Sequence, residues 1–310
     1  MQRLRTWQLF AICVLVWGTT WHAITYQLSA FPAELGVALR FALAGASALA
    51  LARWRGDRLA FTAADHAALA LQGVFLYGFA YVCVYHAERF VPSGLVAIGY
   101  SASPLLVGVG AAVLFGAPIG RRFVVGGMLG LLGVALMFWP EIARPASGRR
   151  AGVGAALTLA AVLLSTVGSL VASRNRVRGV ALLPAIGFGM LYGAAAAAIV
   201  WLALGSAGPV SLPSAPSWWL SLVYLALAGS VVAFACFLTL QDRLGPGPAG
   251  TVGVTTPLLA LVVSLALEGF RPTLLTLAGA ALGVAGNALM LRRGRFGRRA
   301  AAAAAAPEAG

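Results

Sequence analysis

The chain has 310 residues, 61% of them hydrophobic and only 10% charged, with a mean hydropathy of +0.91 and a net charge of +14. Soluble domains carry roughly 25% charged residues, so this composition excludes a soluble globular protein and makes lipid the solvent. All 22 basic residues are arginine, and most fall in short gaps between apolar runs, which is a membrane-topology pattern and excludes a nucleic-acid-binding face.

Ten apolar segments follow in order, at approximately 7–27, 33–52, 67–87, 92–115, 122–139, 152–173, 182–204, 218–240, 248–267 and 273–291. Each is close to the ~20 residues that a helix needs to cross ~30 Å of hydrocarbon. Arg3 and Arg5 precede the first segment, but its apolar run is too long for a signal peptide and no A-x-A cleavage site follows, so it reads as a retained span. It carries Trp17 and Trp21 one turn apart, then His22. A lone membrane histidine is either a hydrogen-bonding residue between helices or a proton carrier.

The second span opens with Pro32 and Glu34 and holds Arg40. Arg40 lies seven residues in, about 10 Å deep at 1.5 Å per residue. Insertion of arginine at such a place costs at least ~2.5–3.5 kcal/mol, so it faces a cavity or a partner. It reads as an anchor for a substrate carboxylate or a gate, or else as a structural partner of helix-end carbonyls or Glu88. Tyr77, Tyr81 and Tyr85 form an i, i+4, i+8 stripe on the third span. Tyr85 is placed for the aromatic belt, whereas Tyr77 and Tyr81 are deeper and suit a cavity wall. His66 and His86 fall at membrane edges.

In the fourth span Tyr100, Ser101 and Ser103 precede Pro104; in the ninth, Thr255 and Thr256 precede Pro257. Proline frees a helical carbonyl, which hydroxyls or water can satisfy, and freed backbone groups near mid-membrane suit polar cargo. Gly126, Gly130 and Gly133 in the fifth span, and Gly279, Gly283 and Gly286 in the tenth, each share one face where small residues admit a close neighbour. They either join the fifth span to the tenth or seat a helix within their own half.

These echoes form a repeat. Residues 104–137 return as 257–290 at an offset of 153, with thirteen of 34 aligned positions identical. Tyr192 in the seventh span aligns with Arg40 at the similar offset of 152. The units are 1–141, a loop at 142–151, 152–293 and a tail at 294–310 expected to be disordered. Five spans per unit is an odd number, so the second unit enters the membrane from the opposite side. With both termini cytoplasmic, sixteen arginines lie inside and five outside, although Arg144, Arg149 and Arg150 between the halves count the other way. The expected fold is all-α and integral to the membrane, with ten transmembrane helices as two inverted five-helix repeats and a substrate site where they meet.

No H-E-x-x-H, G-x-S-x-G or P-loop motif is present, and Cys13, Cys83 and Cys236 are isolated. No catalytic residue, cofactor or metal is expected. The candidate substrate-contacting residues are Trp17, Trp21, His22, Arg40, Tyr77, Tyr81, Tyr100, Ser103, Tyr192 and Thr255. The expected partners are a small-molecule substrate and the lipid bilayer, with no nucleic acid; oligomeric state is open.

Across about residues 7–291 the chain resembles EamA-type carriers of the drug/metabolite transporter superfamily. The resemblance rests on Trp17-Gly18, the Pro32 to Arg40 stretch, Pro104, Pro257 and the glycine-rich fifth and tenth spans. In that family a glutamate usually precedes the last helix of each half. Glu268-Gly269 matches this, and Phe115-Gly116 departs from it. The resemblance implies a ten-helix inner-membrane carrier with a central cavity for small polar or amphipathic metabolites, often amino acids leaving the cell. The competing readings are a multidrug or other-solute carrier, a polytopic membrane enzyme and a non-transporting scaffold.

Overall fold

The computed structural model describes residues 4–28, 31–116, 119–144, 148–204, 210–244, 249 and 251–291. These residues fold into ten long helical elements, with no strand among them. The elements are α1 (Thr6–Thr25), α2 (Ala33–Trp54), α3 (Ala63–Ala87), α4 (Ser93–Phe115), α5 (Arg121–Ile142), α6 (Gly148–Val177), α7 (Leu182–Ala203), α8 (Pro216–Phe237), α9 (Thr251–Leu267) and α10 (Leu274–Leu291). The first eight are long and apolar enough to cross a membrane, and α9 and α10 are shorter apolar helices. Lipid offers no partners to backbone N–H and C=O groups, so an apolar chain of this composition closes most such bonds within helices.

The helices match the ten apolar segments closely. The main departure is α6, which begins at Gly148 and so enters the stretch read as an inter-repeat loop. The tail at 294–310 lies outside the described residues.

Three helices leave the α geometry. Val74–Phe79 in α3 and Tyr224–Val232 in α8 are wound as π-helix, where Ala80 N–H reaches the Phe75 carbonyl and Ala233 N–H reaches that of Ala228. In α4 a 3₁₀ turn at Tyr100–Ala102 immediately precedes Ser103 and Pro104. Asn287 of α10 donates to the Ser101 carbonyl at 3.2 Å, satisfying an acceptor in this break. Pro257, the matching proline, sits inside continuous helix.

Packing fixes the arrangement. The helices α2 and α7 lie against each other, as do α5 and α10. α1 packs on α8 and α9, and α6 packs on α3 and α4. The glycine ladders join the fifth helix to the tenth. A Cβ added at Gly126 would lie 2.5 Å from the Gly286 carbonyl oxygen, and one at Gly133 equally close to that of Gly279. Only glycine permits this backbone approach.

The bundle has two polar ends. At one end lie His22, Glu34, Ser93 and Glu268, which we name the Glu268 face. At the other lie Gln72 and Asn175, with Arg55 and Arg176, which we name the Arg55 face. α6 starts beside Phe90 and Val91 and ends with Asn175 bonded to Gln72, so it runs opposite to α1.

Tyr85 departs from the aromatic-belt reading. It is fully buried, and its hydroxyl donates to Gln27 Oε1 at 2.7 Å. A phenol with an internal acceptor gains more from the core than from the interface.

Candidate functional site

A cavity of about 350 Å³ opens between α1, α2, α3, α4, α8 and α9. Its walls are largely aromatic, from Trp17, Trp21, Phe41, Tyr81, Tyr100 and Phe234. Gly229 and Ser230 reach it from the π-helical part of α8, Ser103 and Pro104 from the break in α4, and Thr256 and Pro257 from α9.

Arg40 is the one charged residue in this wall, and it is only 3% exposed. Its guanidinium carbon stands 4.8 Å from the centre of the Tyr81 ring and 5.0 Å from that of Phe41. The ring faces supply part of the lost hydration through cation–π attraction. Its Nε and Nη1 are buried without a hydrogen-bond partner. An orphaned buried donor costs ~1–3 kcal/mol, more for a charged group, so the site is primed for an acceptor.

Several other polar groups in the wall are already engaged. Trp17 Nε1 donates to the Gly229 carbonyl at 2.9 Å, tying α1 to the π segment. Thr20, Ser230 and Thr256 donate to carbonyls of their own helices. The Tyr100 hydroxyl and Ser165 Oγ are 3.1 Å apart, and the Tyr100 ring packs tilted against Trp21. Arg40 is therefore the one charged donor among the lining residues, with its unbonded Nε and Nη1 buried within the wall.

At the Glu268 face a second polar group ties helices together. Glu268 Oε1 is 2.9 Å from His22 Nδ1 of α1 and also accepts from Ser93 Oγ at the start of α4. Glu268 Oε2 accepts from Ser93 N–H at 3.0 Å and from Ser264 Oγ of α9 at 2.8 Å. Burial acts to raise the Glu268 pKa, but the bonds from Ser93, His22 and Ser264 outweigh it and hold the carboxyl below the ordinary range. Nearby, His86 Nε2 lies 2.6 Å from Glu34 Oε1. Glu88 is buried with neither oxygen bonded. Burial raises its pKa well above the carboxylate range; the charge of Glu268 adds to this and Arg40 opposes it.

The candidates read from the sequence divide by place. Trp17, Trp21, Arg40, Tyr81, Tyr100 and Ser103 line the cavity together. His22 stands in the Glu268 cluster. Tyr77 is buried against Phe41 and the glycines of α7. Tyr192 bonds His66 Nδ1 at 3.0 Å, near the Arg55 face. Thr255 is half-buried outside the cavity wall and bonds back to the Thr251 carbonyl, while its neighbour Thr256 reaches the cavity. Sequence reading missed Phe41, Gly229, Ser230, Phe234 and Thr256. A Gly-Ser pair in the middle of an apolar span was the available signal for Gly229 and Ser230.

Comparison with known proteins fits this geometry. The model of the EamA-like transporter family matches the chain twice, over residues 5–139 and 152–292. YedA of Escherichia coli strain K12, described as an uncharacterized inner membrane transporter, is 30% identical over 292 residues, covering 91% of this chain and 88% of YedA. PagO of Salmonella typhimurium is 29% identical over 107 residues, 34% of this chain and 35% of its own length. A solved crystal structure with 22% identity covers 94% of this chain and 97% of its own, with a TM-score of 0.66, and shares the fold. Two family matches that together span nearly the whole chain make it a member of the EamA-like transporter family, a membrane transporter of the drug/metabolite transporter superfamily.

Proposed function

We propose that the protein is a secondary carrier that exports a small amphipathic metabolite bearing a carboxylate, such as an amino acid, by alternating access. The observation that carries this reading is Arg40, a buried guanidinium with two unbonded nitrogens in an aromatic cavity. Guanidinium pairs with carboxylate through parallel charge-assisted bonds, and the surrounding rings suit an apolar side chain. A cavity of about 350 Å³ lies in the range of small-molecule sites. A buried positive charge disfavours cationic drugs as cargo.

Alternating access rests on two inverted repeats. Shifting each helix number by five converts the α1 contacts with α8 and α9 into those of α6 with α3 and α4, and maps the α2–α7 and α5–α10 pairs onto themselves. This pattern supports a two-fold relation between the halves. We place the Arg55 face in the cytoplasm from the distribution of arginine, and the protein in the inner membrane by likeness to YedA. Glu268, bonded across three helices, then closes the outer end of the path.

The test is counterflow in proteoliposomes against a panel of amino acids and related carboxylates. Arg40→Ala is expected to cut flux of the accepted substrate by tenfold or more, roughly the worth of one charge-assisted bond pair. Tyr81→Ala is expected to raise KM with a smaller loss. Unchanged flux in both variants would sink the site assignment, and absence of flux for every carboxylate would sink the substrate class.

A further inference from the structure

At the Arg55 face, away from the central cavity, a separate pocket of about 180 Å³ lies between the ends of α2, α6, α7 and the continuation of α8. Arg55, Asp57, Arg176, Leu182, Leu183 and Thr239 form its wall. Arg55 caps the end of α2, and Arg176 is in the last turn of α6. Neither guanidinium has a hydrogen-bond or ion-pair partner among the described residues. Both arginines are exposed and line the same small pocket, so an anion seated there is drawn by both charges.

The surroundings indicate where the anion comes from. Trp54 and Val177, the chain neighbours of the two arginines, are 85% and 90% exposed. An exposed tryptophan beside arginine is the composition of a membrane interface, where rings sit at headgroup level and cations meet phosphate. Leu182 and Leu183 give the pocket an apolar wall, which suits glycerol and acyl carbon more than a bare ion. Asp57 leaves the site with one net positive charge, matched to a monoanionic phosphodiester.

We propose that Arg55 and Arg176 bind a phosphate group in this pocket, supplied by a phospholipid headgroup of the adjoining leaflet. Free phosphate offers the same chemistry, and the experiment separates the two sources. The site is independent of the transported substrate and of Arg40.

The full-length protein in detergent is titrated with phosphatidylglycerol or phosphatidylcholine and followed by native mass spectrometry, with inorganic phosphate added in a parallel arm. The wild type is expected to prefer phosphatidylglycerol. Arg55→Gln and Arg176→Gln are each expected to weaken that preference about fivefold, the effect of one basic residue near an anionic headgroup. Asp57→Asn is expected to strengthen it, a gain that misfolding cannot imitate. Arg89→Gln, on the opposite face, is expected to change nothing. Arginines that only complement helix C-termini would alter stability and leave the lipid preference unmoved. Displacement of the lipid by inorganic phosphate would support the site and reassign its source to the soluble ion. A wild type without preference, or a preference intact in both single arginine variants, would overturn the proposal.

Discussion

The ends of α4 and α9 have one backbone and two chemistries. Gly116 and Gly269 both turn the chain with positive φ, 68° and 65°, at positions that align in the repeat. The residue before the first is Phe115, half exposed and apolar; the residue before the second is Glu268, which bonds α1, α4 and α9 at one face. Glycine is required at both turns because only it adopts that conformation without strain. What the copies share is the frame of turns and close helix contacts. What they do not share decides which end of the bundle is tied by polar bonds.

The largest effect is expected from breaking the shared frame. Gly133→Leu drives a side chain into the Gly279 carbonyl, and neither backbone can withdraw without parting α5 from α10. Overpacking of this kind costs about 3 kcal/mol or more. Fluorescence-detected size-exclusion chromatography is expected to show little folded protein. A normal profile would mean that the seam is looser than described.

Next comes the unshared residue. Glu268→Ala leaves Ser93 N–H, Ser93 Oγ and Ser264 Oγ without their acceptor. Stranding part-buried donors at this junction is expected to cost about 3 kcal/mol. The loss is local, so hydrogen exchange should rise in the first turns of α4, from Ser93 to Gly99, while α5 and α10 stay protected. Uniform exchange across the bundle would show that Glu268 supports the whole fold and not one end of it.

A smaller effect separates two glutamates of the same face by pH. The Glu268 pKa is depressed, so its contribution is present above the ordinary carboxylate value and is lost as pH falls through the lowered one. The Glu88 pKa is raised, so its contribution is complete below the ordinary value and declines as pH rises toward the raised one. Melting temperatures measured from about pH 2.5 to about pH 9 should therefore respond in opposite senses. Glu268→Gln flattens the acid limb below about pH 4.5, and Glu88→Gln flattens the decline above it. Parallel profiles for the two variants would contradict the assigned directions.

Much of the frame was legible in the sequence because lipid imposes a simple rule: apolar runs become helices, and glycine and proline in fixed register betray duplication. Arg40 was legible for the same reason, since a charge in an apolar run needs a cavity or a partner. The partners of Glu268 were not. Ser264 lies one turn before Glu268 at the end of α9, but His22 and Ser93 come from two other helices, and no spacing along the chain reveals that they converge. The π segments were also hidden, because a run such as Tyr224–Val232 is equally apolar in α and π winding. Thr255 and Thr256 show the limit most sharply, for one residue of helical rotation puts the first outside the cavity and the second in its wall.

The smallest effect is expected from copying the chemistry without its partners. Phe115→Glu gives the first half the residue of the second at the same turn. The position aligned with Ser264 at the offset of 153 is Ala111, which has no donor in its side chain. The new carboxylate lacks this same-helix donor, and Phe115 is already half exposed, so stability should change by less than about 0.5 kcal/mol. Hydrogen exchange at the Arg55 end of α4 should stay as it is. Strong new protection there would show that a glutamate at this turn is sufficient to tie an end. The difference between the halves would then reside in residue 115 alone, rather than in the three helices that meet Glu268.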